Sequence, residues 1–275
     1  MSLRVLFERR IREVEVSITP HCTLACRECG FLVPNQPTPS NGDPVEELAR
    51  SLGVVRDAGV RIGSLAVLGG EPTINGPLLE RAVVALRAID VADRIEVVSN
   101  GLTPRGLTEL AARSIDRLSI SDYGLAPRLL DLWREWIALI APRVEFVVRG
   151  QRDGWDVWNS PLRLSPPEAR AIYDACWYRR HCVTVERGRL FGCSRAPKLQ
   201  RDDEGMPLVE GTTFEAIEAW LHRPEALPSC RSCAPMMNLP KMPAGVQPDA
   251  RLAALEARAM EWLDASIASH RGARP

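Results

Sequence analysis

The 275-residue chain reads as an α/β protein. The expected form is an open, partial (β/α) barrel of about five parallel strands, followed by a small hairpin-and-helix region rich in cysteine. Three observations predict it. Strand-like and helix-like patterns alternate through the first 150 residues, the order that builds a parallel sheet. Turn residues (Pro20, Gly69, Gly70, Asn100 and Gly101) stand directly after successive strand patterns. Beyond Gly150 proline and glycine become denser, and five of the eight cysteines follow. The chain therefore divides into a barrel over 1–160 and a second domain over 161–275, with 154–167 as the linker.

Residues 13–19 alternate charged or polar with apolar side chains at period two, a strand that Pro20 ends. Residues 46–58 and 78–89 carry apolar residues at three and four spacing and read as helices. Between them, 65–68 is the second strand, and 94–99 is the third. A short helix over 106–113, a strand over 117–121, an amphipathic helix over 127–140 and a strand over 143–149 complete the alternation. No convincing sixth strand–helix unit follows. Residues 183–185 and 190–191 alternate like two short strands around a turn at Arg187 and Gly188. The last helix, over 248–269, is amphipathic and suits packing or self-association. Trp133, Trp136, Trp220 and Trp262 fall on helical patterns and are expected in the core.

Lys plus Arg number 35 and Asp plus Glu number 35, so the formal net charge is zero. With no basic block, a nucleic-acid substrate is disfavoured. No apolar run reaches the length of a membrane span, and residues 1–10 lack a signal-peptide core. A cytoplasmic location is expected, where clustered cysteines mean metal or catalysis rather than disulfides.

Cys22, Cys26 and Cys29 are spaced C-x3-C-x2-C immediately after the first strand. Three thiolates this close suit one compact, soft metal centre. A cube of four irons has four ligand positions, so three cysteines leave one iron open. The bland alternative is half of a zinc site with His21 as an extra ligand, although zinc normally closes its shell with four protein ligands.

In these residues the chain resembles the radical S-adenosylmethionine (SAM) superfamily, whose signature is this loop after the first strand. Gly69-Gly70-Glu71-Pro72 follows the second strand and is similar to the family's GGEP turn. The resemblance implies that this turn holds the amino group of SAM through backbone carbonyls and the acidic side chain. Glycine suits such close backbone approach. Ser99-Asn100-Gly101, after the third strand, is similar to the family's turn near the SAM ribose. One residue departs from the pattern. The position before the third cysteine is usually aromatic and packs near adenine, whereas here it is Glu28, which leaves only its backbone for that contact. Ser121 is a further candidate for the SAM ribose or carboxylate. The implied chemistry is reductive cleavage of SAM at a [4Fe-4S] cluster, giving a 5′-deoxyadenosyl radical that removes a substrate hydrogen. A flavodoxin- or ferredoxin-type electron donor is the implied partner.

Cys176, Cys182, Cys193, Cys230 and Cys233 form a second set. Cys230 and Cys233 make a C-x2-C knuckle, and Cys193 follows the hairpin. Cys176, Gly188 and Cys193 are similar in spacing to the twitch domain, a truncated SPASM domain, which implies an auxiliary [4Fe-4S] cluster. A structural zinc explains the same residues. Cys176 and Cys182 compete for one ligand position. A spare thiol facing the substrate is a candidate hydrogen-atom donor, and Cys182 is carried forward in that role.

A fully ligated second cluster can accept the electron left on a substrate radical, so net oxidation is expected, with a base to take the proton. Asp122, after the fourth strand, is a candidate base, or simply a turn cap. Arg149, ending the fifth strand, suits the SAM carboxylate, an anionic substrate or an ion pair. Trp155, Trp158, Trp177 and Tyr178 lie at the domain junction, where ligand pockets form, and packing explains them equally well. The reading is a radical SAM oxidoreductase acting on a small polar, sugar- or aminocyclitol-like natural-product intermediate. The layout is similar to the twitch-bearing dehydrogenases of aminoglycoside biosynthesis. An epimerase and a ribosomal-peptide maturase are the enzymatic alternatives, although few residues precede the first strand for a peptide-recognition domain. The non-enzymatic alternative is a zinc-stabilised binding module.

Overall fold

The computed structural model describes residues 6–32, 42–150, 154–158, 163–181, 183–237 and 239–273. Its strands are β1 (Leu6–Phe7), β2 (Arg10–Ser17), β3 (Arg61–Leu68), β4 (Ile95–Ser99), β5 (Arg117–Asp122), β6 (Glu145–Gly150), β7 (Val183–Glu186), β8 (Arg189–Phe191) and β9 (Met206–Pro207). The helices are α1 (Pro44–Asp57), α2 (Gly76–Ile89), α3 (Glu109–Arg113), α4 (Pro127–Ile140), α5 (Pro166–Ala175), α6 (Tyr178–His181), α7 (Arg195–Lys198), α8 (Phe214–Leu221) and α9 (Arg251–Gly272).

Strands β2 to β6 are the five parallel strands expected, each paired with the next. The sheet order is β6-β5-β4-β3-β2-β7-β8-β9, with β1 on β2, and the sheet stays open. A sixth parallel strand exists after all: β7 pairs parallel with β2 on the side away from β3. The hairpin β7–β8 was therefore legible as a hairpin but not as an extension of the main sheet. It follows β6 and α5, but its four residues are too short a run to mark a main-sheet strand, so only their partners on β2 reveal the role. The expected division at 160/161 falls outside the described residues, and one sheet carries strands from both parts.

The alternation of β2 has a clear cause. Val14 and Val16 are fully buried and lie level with Leu65 and Val67 of β3 and Val183 and Val185 of β7. Together with Leu52, Val55, Leu79, Val83 and Leu129 of the helices they build the core. Burying such side chains supplies most of the driving force for this layer.

Glu13 and Glu15 point to the other face. There the register places them level with Ser64 and Ala66 of β3, and Glu15 level with Thr184 of β7. Glu96, Ser119 and Arg149 share this inner face, where Arg149 and Ser119 both donate to Oε1 of Glu96. Glu15 Oε2, Ser64 Oγ and Thr184 Oγ1 are buried without a hydrogen-bond partner among the described residues. Burial, reinforced by the Glu13 charge, pushes the Glu15 carboxyl up to about 7. This polar interior differs from the packed apolar layers that fill a closed barrel.

Helix α1 starts at Asp43, whose Oδ1 accepts from Val45 N at 2.9 Å. Helix α5 lies at the end of the expected linker. Ser165 and Glu168 form a capping box there, with Ser165 N donating to Glu168 Oε2 at 2.7 Å, a signal present in Ser165-Pro166-Pro167-Glu168. Helix α9 packs on α4, where Trp136 and Trp262 meet edge to face at 5.6 Å. Trp133 is fully buried, as expected. No helix among the described residues is long and apolar enough to cross a membrane.

Candidate active site

The C-terminal ends of β2, β3 and β4 carry the three sequence motifs, and backbone hydrogen bonds join them. Gly70 N donates to Thr19 O at 2.7 Å and Glu71 N to His21 O at 2.7 Å. A Cβ on Gly70 would sit 2.2 Å from the His21 carbonyl oxygen, so only glycine permits this approach.

Glu71 is the knot of the arrangement. It is 1 % exposed. Its Oε1 accepts from Thr73 N at 3.0 Å, Thr73 Oγ1 at 2.7 Å and Ser99 Oγ at 2.8 Å. Its Oε2 accepts from Asn100 N at 2.6 Å. Burial pushes its carboxyl up, and these donors oppose the shift. Asn100 then reaches the cysteine loop, donating from Nδ2 to Thr23 Oγ1 at 3.1 Å and standing 3.7 Å from Cys22 Sγ. Trp133 Nε1 donates to Gly101 O at 2.8 Å and holds this turn from behind.

These elements surround a cavity of about 410 Å³. Its walls include Cys22, Cys26 and Cys29, together with Gly69, Gly70, Glu71, Ser99, Asn100 and Ser121. Pro72 is buried behind this wall, where it opens a single 3-10 turn. His21 is exposed and does not line the cavity, so the loop presents three donors rather than four. That donor set fits a four-iron cluster with one open iron. Burial, with Glu71 and the neighbouring cysteines adding, pushes the Cys22 thiol up to about 12, and burial also raises Cys26. Among the described residues no three His, Cys, Asp or Glu side chains already form a metal-holding group. Metal binding releases thiol protons, so these buried thiols would lose theirs as the loop is loaded.

A distant segment braces the loop. Gln247 accepts from Ala25 N through Oε1 at 2.8 Å and donates from Nε2 to Cys26 Sγ at 2.9 Å. Arg27 N donates to Val246 O at 2.8 Å. No local pattern in the sequence marks Gln247. Groups that orient metal ligands typically account for about 10–100-fold in metal affinity. Gln247→Leu is therefore expected to speed iron loss to a chelator by about tenfold or more. A loss rate equal to wild type would remove Gln247 from that role.

The missing aromatic ring has a neighbour in its place. Glu28 adopts φ +56° and accepts from Trp158 N through Oε2 at 2.8 Å. The Trp158 ring packs on Gly30, where a Cβ would approach Cε2 to 2.8 Å. Trp155, Trp158 and Tyr178 all line the cavity, as does Tyr123, which meets Trp155 edge to face at 5.2 Å. Trp177 is 56 % exposed and stacks on His181 at 4.3 Å. Asp156 lies on the same wall and accepts a hydrogen bond from Tyr178 Oη.

Two expected residues stand elsewhere. Asp122 does not line the cavity; its Oδ1 accepts from Gly124 N and Leu125 N, both at 2.9 Å, which corrects the base assignment to a turn cap. Arg149 is likewise outside the lining, and it pairs with the buried Glu96 at 2.5 Å. The strand alternation that puts Arg149 level with Ser121 also brings it to Glu96 across the inner face.

The second cysteine set gathers near this wall, where Asp156 acts on Cys233. Cys193 and Cys230 each sit in the field of Cys233 and Cys176. Burial pushes Cys193 and Cys230 up to about 12, and raises Cys233. Buried Glu204 anchors the knuckle by accepting from Ser229 N at 2.8 Å. Cys182 lies outside the described residues.

Residues 16–149 match the model of the Radical SAM superfamily. A curated relative, GTP 3′,8-cyclase of Heliobacterium modesticaldum (strain ATCC 51547 / Ice1), is 28% identical over 131 residues, covering 44% of this chain and 37% of that protein. The chain thus spans little more than a third of that relative's length. The crystal structure of BtrN in complex with AdoMet and 2-DOIA has 18% identity and a TM-score of 0.46, over 77% of this chain and 82% of that one. Native anSMEcpe with bound AdoMet has 12% identity and a TM-score of 0.46, over 94% and 98%.

Proposed function

We propose, on the premise that this chain is an enzyme of the radical SAM superfamily, that it oxidises a small polar substrate with a second iron–sulfur cluster as electron acceptor. The observation that carries the reading is the shared wall. Tyr178 and Asp156 line the cavity beside Cys22, Cys26 and Cys29, while Asp156 also lies in the field of Cys233.

Cys22, Cys26 and Cys29 would hold the first cluster, with SAM against Gly69, Gly70, Glu71, Ser99, Asn100 and Ser121. Cys176, Cys193, Cys230 and Cys233 would hold the second. When bound, these groups supply hydrogen-atom abstraction through SAM cleavage and an electron sink. The chain's own residues do the rest. Glu71 braces the turn that meets SAM. Its Oε2 accepts one bond within the protein, which leaves lone-pair capacity toward the cavity. Trp158 closes the wall beside Gly30 and excludes water there. Asp156, held by Tyr178, takes the hydroxyl proton as an alcohol becomes a carbonyl. Tyr123, Asp156, Tyr178 and Lys241 give the cavity several polar handles, which suit a small polar substrate such as a sugar or aminocyclitol.

Anaerobic reconstitution with iron and sulfide, followed by iron counting and a SAM-cleavage assay, tests the reading. About eight irons per chain with 5′-deoxyadenosine formed is the expected result. About four irons with cleavage would restrict the chain to one cluster and to redox-neutral chemistry. Zinc bound without cleavage would overturn the proposal.

A further inference from the structure

Arg195 follows Cys193 by two residues and opens α7. It is 6 % exposed. Its Nε and Nη1 are buried without a hydrogen-bond partner, and it forms no ion pair among the described residues. Its guanidinium stands 5.6 Å from the centre of the Trp158 ring. The ionisable groups that act on it are Cys233, Cys193 and Glu28, in that order. Glu28 already spends Oε2 on Trp158 N. The contrast with Lys198 on the same helix is informative. Lys198 is 3 % exposed, yet it pairs with Glu186 and donates to Ser17 Oγ at 2.6 Å.

A guanidinium keeps its proton even when buried, so its charge must be answered by an anion. Glu28 acts on it less than the two cysteines do and forms no ion pair with it, and neutral thiols carry no charge to answer it. Four thiolates around an iron–sulfur core answer it, because that assembly is an anion when oxidised and gains one further negative charge on reduction. A fixed cation beside it favours the more negative state and so raises its reduction potential.

We propose that Arg195 is the counter-charge of the centre held by Cys176, Cys193, Cys230 and Cys233, and that it makes this centre the better electron acceptor. The inference rests on the two-cluster reading. Arg195 acts as a positioning residue, since its effect passes through the centre rather than by contact with substrate. It neighbours both Cys193 in sequence and the ring of Trp158, a residue of the cavity wall, so the charge stands near the wall that a substrate electron would cross.

The test is a redox titration followed by electron paramagnetic resonance on the reconstituted full chain, comparing wild type with Arg195→Gln and Arg195→Lys. Added SAM perturbs the signal of the first cluster and so identifies the second. In Arg195→Gln the second cluster is expected to be about tenfold less reduced at a fixed poise, a fall of 59 mV for a one-electron couple. Arg195→Lys is expected to stay near wild type, and the first cluster to keep its potential in both variants. If Arg195→Gln sheds the second cluster's iron while Arg195→Lys retains it at the wild-type potential, the charge assignment also stands. An unchanged potential in Arg195→Gln with about eight irons retained would overturn the inference and leave the two-cluster reading intact. Equal falls, or equal iron loss, in both variants would assign Arg195 a structural role and overturn it likewise. A wild-type chain that takes only about four irons would overturn both readings together.

Discussion

Replacing Cys22, Cys26 and Cys29 together by alanine is expected to abolish SAM cleavage completely while the second cysteine set keeps its iron. The three sulfurs share one cavity with the turns of β3 and β4, and exposed His21 stands away from it. Among the described residues no other cysteine belongs to that cavity lining, so none of them is placed to take over. The two sets answer to different anchors. Gln247 and Asn100 hold the first, and Glu204 with Ser229 holds the knuckle of the second. Contacts this separate make independent loading the natural outcome. The triple variant should therefore lose about four of about eight irons and all 5′-deoxyadenosine formation. Loss of every iron would show that the two sets assemble as one unit. Retained cleavage would remove these cysteines from the SAM site.

The second large effect is expected at Glu71. Alanine there strips the acceptor from Thr73 N, Thr73 Oγ1, Ser99 Oγ and Asn100 N at an almost fully buried position. Buried donors left unpaired cost about 1–3 kcal/mol each, and partial rearrangement recovers some of it. A net loss on the order of 4 kcal/mol is expected for Glu71→Ala, read as a lower urea midpoint, together with loss of SAM binding. Glu71→Gln keeps one carbonyl acceptor and should recover part of the stability. Its amide nitrogen then faces donors, so the turn still loosens. A Glu71→Ala variant within about 1 kcal/mol of wild type would mean that the four bonds are not holding the turn.

The motifs that could be read before folding are all local. Cys22, Cys26 and Cys29 lie within eight consecutive residues, and Gly69 to Pro72 and Ser99 to Gly101 are single turns. The period-two pattern of Glu13 to Ser17 correctly marked a strand with one apolar face, because Val14 and Val16 meet the helices while Glu13 and Glu15 do not. The five parallel strands followed from the same logic. Asp122 shows its limit: a carboxylate after a strand looks identical in sequence whether it points into a cavity or folds back on Gly124 N and Leu125 N. The expected linker runs to Pro167, two residues into α5, although Pro166 and Pro167 behind the Ser165–Glu168 capping box also suit the start of a helix.

What the chain's local order established is the chemistry: a thiolate loop, a glycine turn and an asparagine turn at the ends of successive strands. Folding decided what surrounds that chemistry. It set β7 against β2, brought Gln247 from 221 positions away to Cys26, laid Trp158 over Gly30, and left Arg195 buried beside Cys193 and Cys233. Periodicity and turn composition report only on near neighbours along the chain. Contacts closed across a hundred or more residues leave no such trace, because they are selected by the packing of the whole sheet rather than by any one segment.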